Sequence, residues 1–140
     1  MNKGIGMTFL VLALASSPSI ADDVTGSGEI LCSVAHATRC YDDGECATGP
    51  PWKWNIPQFI VIDLGEGQLR TTKASGENRT TPIKNIERDD GQIFLQGVEA
   101  RRAFSLVIDE RTGMASFAVA MDGLAMTAFG ACTPMPAPGR

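Results

Sequence analysis

The stretch MASFAVAMDGLAMTAFGAC (residues 114–132) runs out and then back along itself. Ala115, Phe117, Val119 and Met121 share one parity, the period-two signature of a strand with one buried face. Asp122-Gly123 then supplies the strongest short-range hairpin signal. A two-residue loop there sets Met121 opposite Leu124, Val119 opposite Met126 and Phe117 opposite Ala128. Every pair is apolar on both sides, so turn register and hydrophobic face agree. Cys132 has the parity of Leu124 and Met126 and turns inward with them.

The same pattern extends upstream. AFSLVID (103–109) places Phe104, Leu106 and Ile108 on one face, and ERTG (110–113) turns it into the hairpin above. QIFLQG (92–97) carries Ile93 and Leu95 inward between the turns DDG (89–91) and VEAR (98–101). RTTPIKNIER (79–88) reads as extended, KASGEN (73–78) as a polar loop, and QFIVIDL (58–64) as a strand paired across GEG (65–67) with QLRTT (68–72). In EILCSVAHATRC (29–40), Ile30, Cys32, Val34, His36 and Cys40 share the inward parity, with Ser33 and Arg39 on the other. GPPWKWNIP (49–57) has three prolines and is expected to be extended, not helical. DDVTGSG (22–28) reads as a loose polar lead.

About eight short strands at regular spacing, with no adequate helical stretch, predict an all-β fold. Sequential hairpins favour a small antiparallel up-and-down β-barrel, because closure removes exposed edges; a β-sandwich is the alternative.

The four cysteines fit that closure. Four cysteines allow three connectivities; CYDDGEC (40–46) brackets the turn residues Asp42, Asp43 and Gly44, which favours pairing Cys40 with Cys46. Cys32 and Cys132 then join the first strand to the last, which are neighbours in a barrel. The C-x7-C-x5-C spacing suits neither a structural zinc site nor a C-x-x-C redox site. Asp42, Asp43 and Glu45 are retained as a weak cation-loop candidate, without the alternating order of an EF-hand.

Residues 1–21 read as a secretory signal peptide: Lys3, a short apolar run, then Ser19 and Ala21 at the cleavage positions. Its apolar run is too short to span a bilayer, and no second long apolar stretch follows. Cleavage after Ala21 leaves a single β-barrel domain (22–133) and a flexible proline-rich tail (134–140). The expected location is periplasmic or secreted, where thiols oxidise. Past residue 21 there are 11 basic and 16 acidic residues, a net charge of −5. With only Arg101-Arg102 as an adjacent basic pair, nucleic acid is not an expected partner.

His36 is the only histidine. A catalytic triad would need it with Ser33 or Ser105 and Asp63 or Asp109, yet no G-x-S-x-G elbow exists and its parity places it in the core. Most aspartates fall in predicted turns, which already accounts for them. Trp52 and Trp54, two apart in an extended segment, project to one side as a barrel plug or an aromatic binding platform. Asn78-Arg79-Thr80 matches a glycosylation sequon, taken as a chance match.

The C-x7-C-x5-C spacing with FGAC (129–132) resembles small exported proteobacterial proteins of unassigned function. SGENR (75–79) and QGVEA (96–100) partly resemble the S-G-x-x-Y and K-G-x-x-A motifs of periplasmic inhibitors of C-type lysozyme, which are small disulfide-linked barrels. The first lacks the Tyr and the second has Gln for Lys; the resemblance implies a binding loop at Ser75, Gly76 and Glu77. The expected function is therefore non-enzymatic binding of a protein, a small apolar ligand or an envelope component, with no cofactor. The alternatives are inhibition of a lysozyme or another hydrolase, and an enzyme with a carboxylate site.

Overall fold

Ten antiparallel strands wrap into one curled, barrel-like sheet in the structure, a computed structural model that describes residues 22–136. They are β1 (Glu29–Tyr41), β2 (Cys46–Gly49), β3 (Phe59–Asp63), β4 (Gln68–Thr71), β5 (Thr80–Pro82), β6 (Asn85–Asp89), β7 (Gln92–Glu99), β8 (Arg102–Asp109), β9 (Met114–Met121) and β10 (Leu124–Pro134). Their spatial order is β5-β4-β3-β1-β10-β9-β8-β7-β6, with β2 laid against β1. One continuous sheet replaces the alternative of two stacked sheets. The expected signal peptide, residues 1–21, and the tail beyond residue 136 lie outside the described residues. Within the tail, Pro134 still pairs with Ile30, and Met135 N–H donates to the Glu29 carbonyl at 3.0 Å.

The strand count reduces to eight staves. β5 and β6 run in the same direction, separated only by Ile83 and Lys84. Ile83 N–H donates to the Gly67 carbonyl on the β4 side, and Lys84 N–H to the Gln96 carbonyl of β7, both at 2.8 Å. A single extended segment thus changes partner from β4 to β7 and carries the chain across the seam. The proline within it sits at Pro82, where the ladder is about to be handed over and a missing donor costs little.

The β9–β10 hairpin has the register read from its sequence: Met121↔Leu124, Val119↔Met126 and Phe117↔Ala128 are paired. Its inward side chains join Ile30, Cys32, Val34, Ile62, Ile93, Leu95, Leu106 and Ile108 in the core. Cys32 and Cys132 are buried and directly paired between β1 and β10, bridged by a disulfide; Cys40–Cys46 bridges the exposed β1–β2 hairpin.

β1 departs from simple alternation. A bulge between Val34 and His36 inserts one residue and reverses the facing of everything after it. Ala37 becomes fully buried, while His36 is exposed and stacks near Phe129, ring centroids 5.9 Å apart. His36 is therefore not a core residue, and Cys40 does not share the facing of Cys32. Arg39 pairs with Met126 and so turns to the inner side. Gly130 makes the bulge feasible: a Cβ there would drive into the Ser33 carbonyl and the Phe117 ring.

Two further expectations fail locally. Residues 22–28 are not loose at their centre: Val24 is fully buried, and its N–H donates to the Glu110 carbonyl at 2.7 Å. A lone apolar residue in a polar run has no periodicity to reveal it. Pro51–Trp54 forms a turn of 3-10 helix with Pro51 at its start, where the missing N–H would be unpaired in any helix. Among the described residues, no helix is long and apolar enough to cross a membrane.

Candidate functional site at the barrel mouth

Strand direction gives the barrel two different ends. At one end lie Glu29, Asp63 and Asp109, and Val24 stops it. At the other, β4 ends at Thr71, β7 at Glu99 and β9 at Met121, and the longer connections 50–58 and 72–79 rise around an opening. β3 stops pairing at Ser33–Phe59, and β2 takes over as the neighbour of β1 from Ala37 to Cys40, so the β1–β2 hairpin stands above the rim.

The opening leads to a cavity of about 130 Å³. Its walls are mainly apolar: Ile60 and Leu69 on one side, Phe104, Leu106 and Phe117 on the other, with Met126 and Val34 between them. Phe104 can lie across its neighbour because Gly97, its paired residue on β7, has no side chain; a Cβ there would overlap the ring and come within 2.9 Å of the Pro82 carbonyl. A dry apolar cavity of about 150 Å³ admits a benzene ring. This one accepts a ring or a short branched chain.

Thr81 is buried in the wall beside Leu69, and the charged groups gather at the rim. Arg79 Nη1 donates to the Asn55 carbonyl at 3.2 Å and lies 3.7 Å from Glu77. Glu99 sits between two guanidinium groups, 3.7 Å from Arg79 Nη2 and 3.7 Å from Arg102 Nη2. Arg79 thereby links the connections 50–58 and 72–79 to the β7–β8 turn. That turn is itself unusual, because both Ala100 and Arg101 have left-handed backbone (φ 46° and 64°). Arg39, on the inner face above Met126, stacks over Tyr41 at 4.8 Å and buries its Nε without a hydrogen-bond partner.

The residues singled out from sequence are only partly brought together here. Trp54 is half-buried, packed against the core and over Gly49, whereas Trp52 is 68% exposed. The helical turn, unlike an extended segment, sends residues two apart to different sides, so there is no paired plug or platform. Ser75, Gly76 and Glu77 lie in the exposed 72–79 connection beside the mouth. Ser75 Oγ donates to the Thr72 carbonyl at 2.7 Å and accepts the Glu77 N–H at 3.2 Å, while Thr71 Oγ1 donates to the Glu77 carbonyl at 2.9 Å. The loop is therefore held in one shape by its own side chains.

The acids of the 40–46 loop serve its turn: Asp43 Oδ1 accepts the Glu45 N–H at 2.9 Å. Among the described residues no three His, Cys, Asp or Glu groups converge as a metal-ligand set, so Asp42, Asp43 and Glu45 do not form the cation loop entertained from sequence. Asp63 and Asp109 likewise accept local N–H groups, from Glu66 at 2.8 Å and Thr112 at 2.9 Å. Hydrogen bonds from Thr112, its backbone N–H first and its hydroxyl second, hold the Asp109 carboxyl below the usual carboxylate range. Thr25 does the same for Asp23, its side chain contributing most and its N–H next. Both lie at the stoppered end, away from the mouth.

Sequence reasoning did not bring Arg79, Glu99 and Arg102 together. Arg79 ends SGENR, Glu99 lies in QGVEA and Arg102 belongs to the adjacent basic pair, but one precedes β5 and the others flank a turn about twenty residues later; only the curling of the sheet makes them neighbours. A scan of protein-family models finds none that matches the chain, and no curated protein matches it in sequence.

Proposed function

We propose that this protein is a non-enzymatic binding protein, disulfide-clasped for the periplasm or the extracellular space, that receives a small apolar group in the open end of its barrel. The observation that carries this reading is the asymmetry of the two ends: Val24 stoppers one, while the other opens on an apolar cavity of about 130 Å³ ringed by half-buried charges. Such a concave apolar site with a few convergent polar groups is the usual form of a small-ligand pocket. The two disulfides support an oxidising compartment. The bound group could belong to a free small molecule, an envelope component or a side chain of a partner protein.

Titration of the protein with benzyl alcohol, followed by amide NMR, tests the reading. Saturable shifts should concentrate at Ile60, Leu69, Phe104 and Met126, and Leu69→Trp should abolish them by filling the cavity. Shifts scattered over the outer faces, or none that saturate, would refute it.

A second reading, inhibition of a lysozyme or another hydrolase, is favoured by one feature: the 72–79 connection is pre-shaped by Thr71 and Ser75. A loop already ordered pays less entropy on entering a cleft. Titrating C-type lysozyme with the pure protein decides it; undiminished lytic activity at a molar excess would end that reading.

A further inference from the structure

We infer that the mouth recognises a carboxylate attached to the apolar group it encloses, and that Glu99 is an internal stand-in for that carboxylate. This rests on the cavity reading above and assigns its ligand a chemical class.

Arg79 and Arg102 both line the cavity, from opposite sides of the barrel seam. Arg79, Glu99 and Arg102 are each less than a third exposed, so their charges are partly removed from water. A carboxylate that satisfied these guanidinium groups would lie about 2.7–2.9 Å from their nitrogens, often with two parallel bonds. Glu99 stands 3.7 Å from each. From the end of β7 it balances charge but hydrogen-bonds to neither. Arg79 has one bond to the Asn55 carbonyl and faces the Glu77 carboxylate at 3.7 Å without hydrogen-bonding to it; a guanidinium carries five donors. Two partly desolvated forks are therefore held at the lip of an apolar chamber with donor capacity left over.

A ligand with a ring or short branched chain in the chamber and a carboxylate one or two bonds away meets both conditions. Its carboxylate would take the place between Arg79 and Arg102 and displace Glu99 toward solvent. A free aromatic or branched-chain acid has this chemistry, and so does the C-terminus of a polypeptide ending in a large apolar residue.

Calorimetric titration of the intact protein with phenylacetate and with its neutral isostere phenylacetamide tests the assignment. The acid should bind at least about tenfold tighter, the discrimination expected of a charge-assisted hydrogen bond. Glu99→Gln should tighten the acid by more than it changes the amide. Arg102→Gln should reduce the acid to the level of the amide. Equal binding of acid and amide by the unaltered protein, or weaker acid binding by Glu99→Gln, overturns the inference while leaving the cavity reading in place. Saturation by neither compound overturns both. A tetrapeptide ending in Phe, against its C-terminal amide, separates the sources: acid-selective binding tighter than that of phenylacetate assigns the ligand to a protein terminus, and weaker binding assigns it to a free acid.

Discussion

Cys32 and Cys132 face each other across the β1–β10 ladder, with Cα atoms 4.0 Å apart and a sequence separation of 100. The bridge lies on the pairing of the first strand with the last, at the middle of the sheet, so it fastens the contact with the greatest loop-closure cost.

Replacing that pair with serine should therefore cost more than replacing Cys40 and Cys46. The chain-entropy relation gives about 4–5 kcal/mol for a loop of 100 residues and about 2 kcal/mol for one of six. Urea unfolding of the two double variants should rank them in that order, and equal losses would refute it.

Gly130→Ala should be among the most damaging single substitutions, because the added methyl meets backbone at Ser33 and cannot be relieved by a rotamer change. A loss of about 2–3 kcal/mol is expected, near the upper end for overpacking. Gly123→Ala, with only the Asp42 carboxylate near its Cβ position, should cost less despite its φ of 69°.

The Ala100-Arg101 turn stores strain that can be removed. Two consecutive left-handed residues suit Asn-Gly, the preferred pair for such a hairpin. The double change Ala100→Asn, Arg101→Gly should raise stability by about 1 kcal/mol, since left-handed backbone costs an ordinary L-residue roughly 1–2 kcal/mol. An unchanged thermal midpoint would contradict this.

Fluorescence should separate the tryptophans. Trp52→Phe leaves Trp54, whose emission should be blue-shifted and shielded from iodide; Trp54→Phe leaves Trp52, red-emitting and quenchable. Identical quenching of the two variants would show that the 3-10 turn does not form.

Asp23 and Asp109 have carboxyls lowered from 3.8. Their unfolded forms therefore bind protons first as pH falls, so the stability they contribute is complete above that value and is lost as pH drops through the lowered ones. Asp109→Asn should flatten the decline in stability below pH about 4, read as midpoint against pH. A parallel decline in the variant and the parent would exclude Asp109 as a contributor.

Most of the barrel was legible because apolar alternation and turn chemistry are local. The Met121–Leu124 register and the Ile93 and Ile108 facings follow from spacing, since a two-residue turn admits only one pairing that keeps both faces apolar; both disulfides match the connectivity favoured among the three possible. The rest depends on contacts between distant segments. The bulge at His36 is invisible in sequence, because nothing within EILCSVAHATRC records that Gly130 opposes it and leaves room for an extra residue. That one insertion exposed the histidine and turned Arg39 inward. The sequence alone determined which side chains alternate, where the chain turns and that its ends are clasped. Tertiary structure decided which end of the barrel stays open and that Arg79, Glu99 and Arg102 meet there, because closure brings together side chains that have no local relationship.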